Sequence, residues 1–154
     1  MDINKELVAI QDKNEIQETL ILYTVAVDTR NWELLKNIFI KDAKALYGDE
    51  KIGMLIKCSS LKEITEMCKN SLNGCGPTQH LFGNFRINLN DTLASSICSA
   101  HIGHVGKEPN QNERWDIWAE YQDNWTKTVN GWKIKNRRML ILQEFGDRKK
   151  VLSS

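Results

Sequence analysis

The sequence predicts an α+β fold: three N-terminal helices packed on a long, curved, mainly antiparallel sheet, shaped as a cone around one pocket. Three observations predict it. Apolar residues recur at helical spacing in the first half of the chain. After Pro77 the period changes to two and persists through four long segments. Helices followed by a run of hairpin-linked strands is an α+β order, in which the helices cover the concave side of the sheet. Where they fill that side incompletely, a small-molecule pocket results.

The first helix is expected over Ile10 to Asp28, where Ile16, Leu20, Tyr23 and Val27 form one face and Leu22, Val25 and Ala26 widen it. Asn31 is placed to cap a second short helix, Trp32 to Phe39, with Leu34, Leu35 and Ile38 on its apolar side. Ala43 to Tyr47 reads as a short strand closed by Gly48. Ser60, with Glu63 at the capping-box position, starts a third helix that ends near Asn73-Gly74. Four strands follow, over Thr78 to Leu89, Leu93 to Val105, Arg114 to Thr128 and Trp132 to Phe145. Asn90-Asp91 and Asn130-Gly131 supply turns, the latter because both residues tolerate positive φ. Gly106 to Asn112 reads as a longer, mobile loop.

A chain of 154 residues suits one domain, 1–154. The 21 basic and 20 acidic side chains nearly cancel, so no charge attracts nucleic acid or an anionic membrane. Arg148 to Lys150 is expected to be a solvated tail. The four cysteines at 58, 68, 75 and 98 have neither CxxC nor zinc spacing and are read as free thiols, with no metal expected. Residues 1–18 are polar and lack an apolar leader core, and no stretch reaches membrane-spanning length. A soluble, cytoplasmic protein is the expectation.

Asp28 is the most informative residue, because a carboxylate ending an apolar helix is costly unless paired or solvated. It could cap the next helix, pair with Arg30, or serve chemistry. His80 shares a strand face with Thr78, Phe82, Asn84 and Arg86. Together Asp28 and His80 would make a carboxylate–imidazole dyad, the carboxylate fixing the ring tautomer so that the other nitrogen acts as a base. Tyr23 lies five residues before Asp28, about 140° around the helix, and either packs in the core or reaches the same cavity. Tyr47 could offer a second phenol. His101 and His104 point to opposite faces of their strand, and the apolar parity of Ala100 and Ile102 favours His104 for the pocket. Phe82 and Trp118 are candidate apolar walls, the tryptophans otherwise serving core or interface.

The strings Tyr23-Thr-Val-Ala-Val-Asp28-Thr-Arg30-Asn-Trp32, Asp42-Ala43, Tyr47-Gly48, Thr78-Gln-His80-Leu-Phe-Gly-Asn84, Tyr121-Gln-Asp123 and Gly131-Trp132 resemble SnoaL-like proteins of the nuclear transport factor 2-like superfamily. The resemblance extends to scytalone dehydratase, bile acid 7α-dehydratase and hexachlorocyclohexane dehydrochlorinase. It implies catalytic roles for Asp28, His80 and Tyr23, pocket roles for Tyr47 and His104, and no cofactor. The expected activity is a dehydratase-type elimination on a hydrophobic, cyclic small molecule, in a homodimer or homotrimer. An isomerase or cyclase using the same base is the alternative. A non-catalytic binding protein is another, and it predicts Asp28 and His80 out of mutual reach.

Overall fold

The structure is a computed structural model and describes residues 2–152. Helix α1 runs over Ile3–Asp28, starting earlier than the periodicity suggested because Asp2 caps it, accepting from the Asn4 amide at 3.1 Å. Its core face is the predicted one at Ile16, Leu20 and Val27, which are fully buried, and at Tyr23, nearly so, but Val25, expected to widen that face, turns outward and is 44% exposed. The short second helix begins as a 3₁₀ turn, Trp32–Leu34, and continues as α2, Leu35–Ile38. Asn31 precedes it but makes no side-chain cap.

Strand β1 is Phe39–Asp49, twice the predicted length, and it turns back as β2, Met54–Cys58, which the sequence did not reveal. Gly48 does not end the strand. It sits inside it at φ 87°, where a side chain would run into the Met54 carbonyl. Helix α3, Leu61–Leu72, has its predicted cap, with Ser60 Oγ accepting from the Glu63 amide at 3.2 Å. The Glu63 carboxylate reaches back to the Ser59 amide rather than to that of Ser60.

The four long strands lie within two residues of expectation: β3 Thr78–Asn90, β4 Leu93–Val105, β5 Arg114–Thr128 and β6 Gly131–Gly146. At the last hairpin only Gly131 takes positive φ, at 98°. The six strands form one open sheet in the order β2-β1-β6-β5-β4-β3, with β1 and β6 parallel and every other pair antiparallel. Register shifts in β3, after Gly83, and at two points of the β5–β6 ladder bend it around α1.

Two expectations near the C-terminus need correction. Residues 106–112 are tied rather than loose: the Gly106 amide bonds to the Glu113 carbonyl at 2.9 Å and Asn110 Nδ2 to the Lys150 carbonyl at 3.1 Å. The supposed tail is a short helix, α4, Arg148–Leu152, whose Val151 is fully buried. Arg148 bonds to Glu144 and to the Ile52 carbonyl, so the positive charges anchor the segment. Among the described residues no helix is long and apolar enough to cross a membrane.

Candidate active site

Asp28 is the last residue of α1, and the chain then reverses through Arg30, which holds a left-handed φ of 58°. That reversal leaves the carboxylate facing the start of β3. There it accepts three hydrogen bonds: from His80 Nδ1–H at 2.6 Å, from the His80 amide at 2.8 Å and from Thr78 Oγ1–H at 2.9 Å. The separation expected of a purely binding cone is not found. Burial by itself would raise the Asp28 carboxyl, but the hydrogen bonds and charge of His80, helped by Thr78, hold it below the usual carboxylate range. An ionised Asp28 requires the proton on Nδ1, which leaves His80 Nε2 as the basic atom.

His104 sits across from His80, ring centres 6.0 Å apart, and stacks on Trp115 at 4.5 Å. Its Nδ1–H donates to the Trp115 carbonyl at 2.9 Å, so its Nε2 is also an acceptor. Burial, reinforced by the charge of His80, pushes His104 down to about 4, against the opposing pull of that hydrogen bond. Both rings line a cavity of about 60 Å³ walled mainly by apolar side chains, among them Met54, Met67, Met139 and Leu152. Tyr23 and Tyr47 line it too. Burial raises both phenols, and among the described residues the Tyr47 hydroxyl has no hydrogen-bond partner.

Six of the seven residues singled out in the sequence therefore cluster, although Phe82 stands one layer back, against Tyr121 at 4.6 Å and Tyr23 at 6.0 Å. Trp118 does not belong. It lies on the outer face of the sheet, 52% exposed, packed edge-on against Phe145. The ion pair considered between Asp28 and Arg30 is also absent, because Arg30 reaches Thr78 instead. Neither does Asp28 cap the next helix; its carboxylate is used by β3.

Three residues were missed. Tyr121 lines the cavity, and its inward parity with Trp115 was readable from the sequence. Arg137 and Asp123 form a fully buried, bidentate ion pair at 2.8 and 2.9 Å. The Arg137 guanidinium covers the rings of Tyr23 at 4.2 Å and Tyr121 at 4.8 Å, and its Nη1 has no hydrogen-bond partner among the described residues. A larger concavity of about 740 Å³ lies away from the histidines, with Lys44, Arg86, Asn124 and Arg138 in its lining. It holds no acid–base pair comparable to Asp28 and His80. The four cysteines are free and buried, and burial pushes the cavity thiol of Cys68 up to about 12. Among the described residues no cluster of His, Cys, Asp or Glu is arranged to hold a metal ion.

The profile of the SnoaL-like domain matches residues 8–138. The chain belongs to the SnoaL-like domain family. An uncharacterised protein of Mycobacterium tuberculosis is 28% identical to this SnoaL-like domain over 134 residues, 83% of this chain and 84% of its own. Among solved structures, a candidate aromatic ring hydroxylase of Novosphingobium aromaticivorans superposes with a TM-score of 0.80 at 24% identity, covering 92% of this chain and 96% of its own. A type 2 hexachlorocyclohexane dehydrochlorinase gives 0.80 at 18% identity, covering 92% and 93%. A candidate scytalone dehydratase of N. aromaticivorans gives 0.77 at 16%, covering 98% and 95%. At these identities the superpositions establish the shared fold, which also includes an NTF2-like protein with a cystatin-like fold from N. aromaticivorans.

Proposed function

We propose that this SnoaL-like domain is a cofactor-independent lyase that eliminates water or a comparable leaving group from a hydrophobic, cyclic small molecule. The observation that carries the reading is the 2.6 Å contact between Asp28 and His80 beside an apolar cavity. His80 Nε2 takes a proton from a substrate carbon, and the freed electron pair forms the new double bond as the leaving group departs. Asp28 keeps the ring in the tautomer that can do this and stabilises the imidazolium that results. For a hydroxyl leaving group, His80 returns its proton and water leaves, so no oxidant or reductant is consumed. Tyr47, whose buried hydroxyl has no hydrogen-bond partner among the described residues, is suited to donate to a substrate carbonyl, and the charge it develops is stabilised there. Tyr23 supports it, and His104 Nε2 is suited to accept from a substrate hydroxyl. The names of two neighbours, a dehydrochlorinase and a candidate dehydratase, denote eliminations and agree with this reading.

The test is a panel of cyclic β-hydroxy ketones, followed by the absorbance of the conjugated product. His80→Ala and Asp28→Asn are expected to lower kcat by roughly 10²–10⁴-fold while the circular dichroism spectrum is kept. Full turnover in either variant refutes the mechanism. A product isomeric with the substrate, with no leaving group lost, would make the same base that of an isomerase.

A further inference from the structure

We propose that Arg30 and Thr78 form a positioning relay: Arg30 orients the Thr78 hydroxyl, and that hydroxyl fixes the carboxylate that keeps His80 in its Nδ1–H form. The functional meaning of the relay rests on Asp28 and His80 being the chemical centre. Its geometry stands apart from that reading.

Among the described residues Arg30 is one of three non-glycine residues at positive φ, at 58°, in a region that glycine occupies far more comfortably. Such a conformation persists when surrounding contacts over-determine it, and here they do. Arg30 Nη1 donates to the Val27 carbonyl at 2.7 Å and to Thr78 Oγ1 at 2.8 Å, and Nη2 donates to the Gly76 carbonyl at 2.8 Å. The segment it grips is itself pinned to β4, by the Gly76 amide on the Val105 carbonyl at 2.8 Å and the Val105 amide on the Pro77 carbonyl at 3.0 Å. Thr78 is thus held in place between the end of α1 and the strand that carries His104, its register partner.

The direction of the chain of hydrogen bonds follows from the groups involved. A guanidinium only donates. Thr78 Oγ1 must therefore accept from Arg30, which aims its single proton at Asp28 Oδ1, 2.9 Å away. The same Oδ1 receives His80 Nδ1–H, so the orientation of the carboxylate and the tautomer of the ring are set together. A guanidinium lying directly on Asp28 would compete with His80 for this oxygen. The interposed hydroxyl passes on the orientation and leaves the carboxylate available to His80, and hydrogen bonds in such a chain strengthen one another.

The relay is tested without a substrate, by nitrogen-15 NMR of the histidine rings in the full chain. The wild type and Thr78→Ser should show His80 protonated at Nδ1 with that proton slow to exchange. Thr78→Val removes the hydroxyl. Arg30→Gly removes the guanidinium while easing the left-handed backbone, so melting temperature and amide spectrum are kept. In both, the His80 ring proton should exchange with water at least about tenfold faster, and the tautomers should mix. Wild-type exchange in folded Arg30→Gly, or in folded Thr78→Val, overturns the relay, because a merely structural brace predicts that. If Asp28→Asn and His80→Ala abolish turnover while the proton is unmoved in both relay variants, the relay fails and the catalytic pair stands. A moved proton together with full turnover in His80→Ala supports the relay and removes the function proposed for the pair.

Discussion

His104 offers a quantitative test, because its burial makes acid destabilise the fold through an identifiable ring. In the unfolded chain it takes up a proton near its ordinary value of 6.5, but in the folded protein only at about 4. Between those values the unfolded state binds the extra proton, so stability is complete above 6.5 and is lost as pH falls toward 4. Each pH unit across this window is worth about 1.4 kcal/mol, so His104 should remove about 2 kcal/mol by pH 5 and about 3 kcal/mol by pH 4. Urea unfolding at intervals from pH 7.5 to pH 4 measures this directly. His104→Gln keeps a polar side chain but has no proton to gain, so its stability should be flatter across the same range. Asp28 and Asp12, both held below the ordinary carboxylate value of 3.8, lose their contributions only as pH falls through still lower values, in both proteins. They cancel in the comparison. Parallel pH dependences for wild type and His104→Gln, within about 0.5 kcal/mol, would refute the reasoning.

Breaking the buried Arg137–Asp123 pair by Arg137→Met or Asp123→Asn should cost about 3–5 kcal/mol in urea unfolding, because the remaining charge or polar group is stranded. The double replacement Arg137→Met with Asp123→Leu should recover much of that loss, and equal instability of single and double variants would count against it. Gly48→Ala forces a side chain at φ 87° against the Met54 carbonyl and should lower the melting temperature by several degrees; an unchanged value would contradict the close approach. Trp118→Ala should leave kcat/KM unchanged on any substrate the protein turns over, since the ring lies outside, and a fall of more than about tenfold would return Trp118 to the site.

Strand alternation explains both what the sequence revealed and what it hid. Parity correctly separated His101, exposed, from His104, buried. The same count applied to Trp115 and Trp118, three apart, puts them on opposite faces, so the misplaced Trp118 was correctable from sequence. Arg137 was not. Along β6 the buried Trp132 and Ile134 predict 136 as the next inward position, but the register shift between Asn124 and Trp125 inserts one residue and turns Arg137 inward. A bulge leaves no mark in the hydrophobic pattern. The short β2 escaped because five residues, Met54–Cys58, with only one β-branched side chain give periodicity too little to work on. The contact between Asp28 and His80, 52 residues apart, is tertiary, and spacing could only make it possible.

The cavity beside the histidines raises a physical problem that the dyad alone does not. At about 60 Å³ it admits a few waters, whereas pockets for drug-sized ligands occupy about 300–1,000 Å³. Its narrowness shields the His80 side chain, 5% exposed, from bulk water, while the Asp28 carboxylate on the other side of their contact stays 22% exposed. Widening it does not require the sheet to move. Three of its wall residues are methionines, whose unbranched side chains change rotamer at little cost. Leu152 enters from α4, a helix of five residues. The ion pairs that tether α4, Arg148 with Glu144 and Lys150 with Glu113, lie at the surface or partly exposed and are worth at most about 1 kcal/mol each. Exposing Val151 adds about 1.5–3 kcal/mol. Undocking α4 would also break the hydrogen bonds of Arg148 Nη2 to the Ile52 carbonyl and of Asn110 Nδ2 to the Lys150 carbonyl, about 1 kcal/mol each, so it costs several kcal/mol. Moving α1 or β3 would instead break the hydrogen bonds that hold Asp28 on His80. A widening at the C-terminal wall would leave the hydrogen bonds between Asp28 and His80 in place.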